Sequence, residues 1–233
     1  MTRLEQLFNG RLPRLVMFDL DGTLVDSVPD LTAAVDSMLA QLGRPVVGIE
    51  RVRNWVGNGS LVLVRRALAG ELEHDHVDNG LAQQALALFM QAYAGSHVLT
   101  TVYPGVHECL EWLADKHIPL AVVTNKPSEF VAPLLEEKGL GGYFRWLVGG
   151  DTLPQQKPDP AALFWVMDKA GVSAGDALFI GDSRNDVHAA NAAGVPCVAL
   201  SYGYNHGRPI AEESPALVLD DLRALVASAA ALS

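Results

Sequence analysis

Five short apolar runs recur along the chain: Leu15–Phe18, Leu120–Val123, 146–148, 177–180 and Cys197–Leu200. Between and after the later ones the sequence carries helical patterns, at about 127–138, 160–170, Arg184–Ala193 and 221–230. Strand and helix in alternation build a parallel sheet covered by helices on both faces, so the expected fold class is α/β, a doubly wound parallel sheet. Sheets of that kind bind ligands beyond the carboxyl ends of their strands. Polar clusters stand at those ends here: Asp19-Leu20-Asp21, Thr124-Asn125-Lys126, Gly149-Gly150-Asp151 and Gly181-Asp182-Ser183. Four loops are thereby expected on one rim.

Residues 27–103 break the alternation. Leu31, Val35, Met38, Leu39 and Leu42 fall at helical spacing, Leu61, Val64 and Leu68 follow, and 81–93 is another apolar-rich segment. The economical reading is a small all-helical cap inserted after the first strand. The α/β core then comprises 1–26 and 104–233 and the cap 27–103, with hinges near Ser27 and Pro104-Gly105 that let the cap act as a lid over the rim. The Ala-rich end, 224–233, reads as a last helix with a frayed tail. For 1–14 the sequence leaves two possibilities open, covering a sheet edge or disorder.

Composition narrows the partners. The 233 residues carry a net charge of −10, so a general nucleic-acid or anionic-membrane binder, which needs a basic footprint, is not expected. An anionic substrate must be met by local cations. Cys109 and Cys197 lie far apart with no paired spacing and read as reduced, buried thiols. Segment 1–14 builds no secretory apolar region, and no apolar run reaches the roughly 18 residues of a membrane helix. The expectation is a cytoplasmic protein of undetermined oligomeric state, acting on a small phosphorylated metabolite without nucleic-acid or membrane partners.

The run Phe18-Asp19-Leu20-Asp21-Gly22-Thr23-Leu24 carries the chemistry. Side chains alternate along a strand, so Asp19 and Asp21 project to one side while Leu20 turns to the core. Two acids this close repel unless a cation or a shared proton relieves them. Gly22 permits a sharp exit from the strand, and Thr23 offers a hydroxyl and an amide donor. Lys157 precedes a rigid Pro158-Asp159-Pro160 turn, which sets it apart from an ordinary surface lysine. Thr124 either caps its strand end or donates to a ligand. Asp182 either caps a helix or binds. Lys126 either faces a substrate carboxylate or water. Arg65 and Arg66 are alternative carboxylate partners or a solvated helix face, and the seven histidines, without paired metal spacing, are surface or core residues.

Asp19-Leu20-Asp21-Gly22-Thr23, Thr124, Lys157 and Gly181-Asp182-Ser183-Arg184-Asn185-Asp186 occur in the order of the haloacid-dehalogenase-like phosphohydrolase superfamily, which the chain resembles from residue 15 to about 200. The surrounding text, Asp26-Ser27-x-Pro29-Asp30-Leu31, Trp55-Val56-Gly57-Asn58-Gly59, Thr124-Asn125-Lys126-Pro127 and Lys157-Pro158-Asp159-Pro160, is similar to that of the bacterial phosphoglycolate phosphatase family. The resemblance implies a Rossmann-like core and Mg²⁺-dependent hydrolysis of a phosphomonoester such as 2-phosphoglycolate, the alternative being a capped sugar-phosphate phosphatase or phosphomutase. It implies Asp19 as nucleophile and Asp21 as acid and base. The metal would be held by Asp19, a backbone oxygen of Asp21, and Asp182, with Asp186 supporting that shell. Lys157 would neutralise the phosphate, Thr124 and Asn125 would donate to it, and Thr23, Lys126 and the Gly57-Asn58-Gly59 amides would complete the substrate site.

Overall fold

The computed structural model describes residues 1–95 and 97–228. In chain order its elements are α1 (Arg3–Leu7), β1 (Leu15–Phe18), β2 (Val25–Asp26), α2 (Val28–Gln41), α3 (Ile49–Trp55), α4 (Ser60–Ala69), α5 (Asn79–Tyr93) and β3 (Thr101–Val102). There follow α6 (Val106–Asp115), β4 (Leu120–Val123), α7 (Ser128–Glu137), β5 (Phe144–Val148), α8 (Ala161–Ala170), β6 (Ala177–Gly181), α9 (Arg184–Ala193), β7 (Cys197–Leu200), β8 (Leu217–Leu219) and α10 (Arg223–Val226).

Six strands form one sheet in the order β5-β4-β1-β6-β7-β8, every adjacent pair parallel. β1 sits in the interior with all four residues buried, and its alternation sorts them between two layers. Val16 and Phe18 pack with residues of α6, α7 and α10, whereas Leu15 and Met17 pack with α8 and α9. A strand buried on both faces needs an unbroken apolar run, which explains why this one carries no polar alternation.

Helices α2 to α5 gather around a third cluster of their own, including Met38, Leu39, Val64 and Phe89, to which the core adds Phe130 and Tyr204. Of the apolar positions at helical spacing, Leu31, Val35, Met38, Leu39, Val64 and Leu68 are buried there, while Leu42 and Leu61 are partly so. The two chain crossings between this bundle and the sheet are not independent. β2 and β3 pair antiparallel, Val25 with Val102 and Asp26 with Thr101, and Tyr103 N donates to Leu24 O at 3.1 Å.

Three local readings change. Residues 221–230 are not one helix: α10 stops at Val226, Ala227 is extended, and Ser228 bridges Thr2 antiparallel, while 229–233 lie outside the described residues. Segment 1–14 is ordered at its start. Thr2 and Glu5 form a reciprocal capping box for α1, and Leu4 and Phe8 join the core layer beside α6 and α10. The sheet also gains β8, whose three residues follow a connection with one short helical turn, Ile210–Glu213.

Phe89 is fully buried in the bundle. Phe89→Ala is expected to cost about 3–5 kcal/mol, through lost transfer energy and the cavity left behind, as read from urea unfolding monitored by circular dichroism.

Candidate active site

The loop leaving β1 is built to hold two carboxylates still. Asp19 N donates to Ile180 O at 2.9 Å, continuing the sheet ladder one residue past the strand. The chain then folds back on itself, with Leu24 N and Val25 N both donating to Leu20 O at 2.9 and 3.1 Å. Gly22 takes φ +90° in this turn, and a Cβ there would sit 2.2 Å from Asp182 Oδ2. Only glycine meets both demands.

Asp19, Asp182 and Asp186 are all buried, and one oxygen from each lies within 4.8 Å of the others. Lys157, equally buried, places Nζ 2.6 Å from Asp186 Oδ1 and 2.9 Å from Asp19 Oδ1. Asp186 Oδ2 accepts from Asp182 N at 3.2 Å, Ser183 N at 2.9 Å and Ser183 Oγ at 2.7 Å, closing the start of α9. The helix cap is therefore Ser183, not Asp182. Asp182 accepts from Thr23 Oγ1 at 2.6 Å through Oδ1 and from Tyr204 N at 2.6 Å through Oδ2.

Asp19 Oδ1 differs from its neighbours. It is buried, and although Lys157 approaches it, the contact lies off the hydrogen-bonding direction, so this oxygen has charge compensation and no hydrogen bond. Burial pushes the Asp19 carboxyl up to about 6, with Lys157 opposing and Asp186 and Asp21 adding to the rise. Asp182 is raised too, by burial and then by Asp186 and Asp19. For Lys157, burial pulls down, but Asp186 and Asp19 outweigh it and the ammonium is held more firmly. Three buried acids against one lysine leave two negative charges unmatched, and the donors are all oxygen. That set fits a hard divalent cation.

The second acid stands apart. Asp21 pairs through Oδ1 and Oδ2 with Lys126 Nζ, at 3.1 and 3.3 Å, and the same ammonium donates to Tyr93 Oη at 2.6 Å. Asp19, Asp21, Thr124, Asn125 and Lys126 line a cavity of about 40 Å³, closed on the opposite side by residues of the helical bundle.

The family described as haloacid dehalogenase-like hydrolase matches residues 16–200. The chain belongs to this family. It is 68% identical over 226 residues to a phosphoglycolate phosphatase of Pseudomonas savastanoi pv. phaseolicola, an alignment covering 97% of this chain and 83% of that one. Identity and coverage are the same with phosphoglycolate phosphatase 1 of Pseudomonas aeruginosa. Among solved structures, one titled a predicted phosphoglycolate phosphatase, from Haemophilus somnus 129PT, superposes with a TM-score of 0.84 at 36% identity, over 91% of this chain and 96% of that one.

In this haloacid dehalogenase-like hydrolase Asp19, Asp182 and Lys157 come together, and several other side chains of the motifs are held by protein partners. Thr23 is fully buried, donates to Asp182 and does not line the cavity. The Asn125 side chain is a brace: Nδ2 donates to Gly57 O and Lys157 O at 3.0 and 2.9 Å, and Oδ1 accepts from Lys157 N at 3.0 Å. Asn58 turns away from the cavity and accepts from Arg66 Nη1 at 3.0 Å, whereas Gly57 and Gly59 line it. Lys126 lines the cavity, where its ammonium is shared between Asp21 and Tyr93. Thr124 Oγ1 accepts from Lys126 N at 3.2 Å, which leaves its proton to donate. Asp21 is outside the three-acid cluster because its side chain is held by Lys126. Arg65 and Arg66 are taken up inside the bundle, by Val77 O and Trp55 O.

Sequence reasoning missed Tyr93, Asn185 and Tyr204. Asn185 Nδ2 donates to Gly57 O at 3.0 Å, so two amides from the sheet side hold one carbonyl of the bundle. Tyr204 follows β7 and was legible as a fifth loop on the rim. Tyr93 had no signal, because its partner is 33 residues away.

Because Asp19 is raised in the folded chain above its ordinary value of 3.8, folding favours its protonated form when no cation is bound. Its contribution to stability is complete below about pH 3.8 and is lost as pH rises through about 6, a swing on the order of 3 kcal/mol. Urea unfolding of metal-stripped protein should show stability falling across that window, and Asp19→Asn should flatten the slope.

Proposed function

We propose that this chain hydrolyses 2-phosphoglycolate to glycolate and phosphate, with Asp19 as nucleophile and Asp21 as the proton-carrying acid and base. The observation that carries the reading is Asp19 Oδ1, a buried carboxylate oxygen at a strand tip with a lysine beside it and no hydrogen bond to tie it down. The relatives at 68% identity carry the name of that activity.

In the first displacement an Asp19 oxygen attacks phosphorus while the bond to the ester oxygen breaks, its electron pair leaving with glycolate. Asp21 gives that oxygen a proton. In the second, Asp21, now a carboxylate, takes a proton from water as the water oxygen attacks the same phosphorus. The Asp19–phosphorus bond breaks, and phosphate and the free carboxylate are restored. Lys157 offsets the phosphoryl charge as it meets Asp19. Repulsion between two such charges at 4 Å is about 4 kcal/mol at an effective dielectric near 20, nearly a thousandfold in rate if left unbalanced. Asp19, Asp182 and the main-chain oxygen of Asp21 are the groups to hold Mg²⁺, which when bound neutralises the remaining anionic charge of acid and ester. Thr124 donates its free proton to a phosphoryl oxygen.

Residues 27–103 act as the lid. The two amides on Gly57 O support this, since they join bundle to sheet at a residue that lines the same cavity as Asp19 and Asp21. Gly57, Gly59 and Lys126 face the substrate's tail, and closure excludes water from the charge transfer. The acidic composition and two free, buried cysteines support a cytoplasmic enzyme, and among the described residues no helix is long and apolar enough to cross a membrane.

Steady phosphate release from 2-phosphoglycolate, without a bisphosphate activator, is the expected result and separates hydrolysis from return of the phosphoryl group to its substrate. EDTA should abolish release and Mg²⁺ restore it. Asp19→Asn should lower turnover by at least about a thousandfold with the circular-dichroism spectrum unchanged. Wild-type turnover in that variant would overturn the assignment.

A further inference from the structure

The cavity wall opposite the reacting acids is mostly apolar. The bundle contributes Leu31, Val56 and Leu63 there, and its side-chain donors are two hydroxyls, Ser60 and Tyr93. Among the described residues that line the cavity, Lys126 is the one cation. A substrate bearing a second anionic group must find partners inside, because desolvating a carboxylate without them is costly.

Where that group falls follows from the chemistry of the ester. Asp21 must touch the ester oxygen, and in a two-carbon hydroxy acid the carboxylate carbon is two bonds beyond it. The carboxylate therefore comes down beside Asp21, where the Lys126 ammonium and Tyr93 hydroxyl meet at 2.6 Å. Tyr93 ends α5 with its ring fixed between aromatic neighbours, 5.7 Å from Phe89 and 5.1 Å from Phe130 by centroid, and the Lys126 ammonium lies 4.6 Å from its own ring centroid. Accepting from Lys126 leaves the phenol its proton to donate. Burial pushes that phenol up to about 12, so the proton is retained at ordinary pH.

We infer that Lys126 and Tyr93 together form the subsite for the carboxylate of the leaving group, with the Tyr93 hydroxyl as the specificity-determining donor brought by the inserted helices. The inference rests on the reading of Asp19 as nucleophile and a small carboxylated ester as substrate. It assigns selectivity to a contact that exists only while bundle and sheet are together: Lys126 belongs to the sheet side and Tyr93 to the bundle. A two-carbon ester without a carboxylate would leave this pair unused.

The test compares kcat/KM for 2-phosphoglycolate and ethyl phosphate in the wild type, Tyr93→Phe, Lys126→Met and the double variant. Tyr93→Phe keeps the ring and removes one oxygen. It should lower kcat/KM for 2-phosphoglycolate by about tenfold to a hundredfold, as for a lost hydrogen bond to a charged group, and change that for ethyl phosphate by less than about threefold. Lys126→Met should also lose the preference for the carboxylated ester, and adding Tyr93→Phe to it should move the ratio little further, because the two residues act on one group. Equal losses on both esters, or a ratio that Tyr93→Phe does not move, would overturn the inference. Should Tyr93→Phe fail to fold, the ratio in Lys126→Met decides alone, and an unchanged preference there sinks the subsite. A wild type that releases no phosphate from 2-phosphoglycolate, or an active Asp19→Asn, brings down the parent reading instead.

Discussion

One buried ammonium holds the centre of this molecule together. Lys157 reaches from the loop after β5 to Asp19 on the tip of β1 and Asp186 at the start of α9, so three segments distant in sequence share one charge. Removing the lysine would leave the buried acids without their one cation, a penalty of the size that breaking a buried ion pair carries. Yet the balance is incomplete by design, since Asp182 brings a further negative charge into the same space. Architecture alone gives no reason for that surplus; a site that must bind a cation and strike an anion does.

Thr23, Ser183 and Tyr204, which hold the acids, lie outside the cavity lining. Thr23 and the Tyr204 backbone fix the two oxygens of Asp182, Asp186 is anchored by Ser183, and Asn125 ties the Lys157 backbone to the bundle through Gly57. Tyr204 also donates through its hydroxyl to Asp26 at the end of β2, and Tyr202 Oη donates to Thr23 O at 2.9 Å. The loop after β7 thus links a carboxylate of the centre to the place where the chain crosses into the bundle. Preorganisation of this kind lets the reacting groups act without rearrangement.

How much could be read beforehand follows from the range of each interaction. β1, β4 and β7 were legible to the residue because a strand buried on both faces must be an apolar run, and α9 because Ser183 caps it and Gly194 ends it. β2, β3 and β8 were not, since two or three residues carry no period and their pairing is set by distant neighbours. The same division governs the site. Asp19 and Asp182 announce themselves as strand-end motifs, and Lys157 by the Pro158-Asp159-Pro160 turn that follows it. The jobs of Thr23, Asn58 and Asn125 do not, because residue type specifies that a hydroxyl or amide will be satisfied but not by whom. Lys126 shows the point most clearly: its neighbours in sequence say nothing of Tyr93, which reaches it from another layer.

The antiparallel pairing of β2 with β3 means that the helical insertion leaves and re-enters the sheet layer at one spot. Its two ends are already as close as a hairpin, so the strand order of the main sheet does not depend on what lies between them. A lineage can lengthen, shorten or replace those helices, and with them the choice of ester, while the machinery that breaks the phosphorus–oxygen bond is inherited intact. Chemistry and selectivity are thereby free to diversify at different rates within one polypeptide.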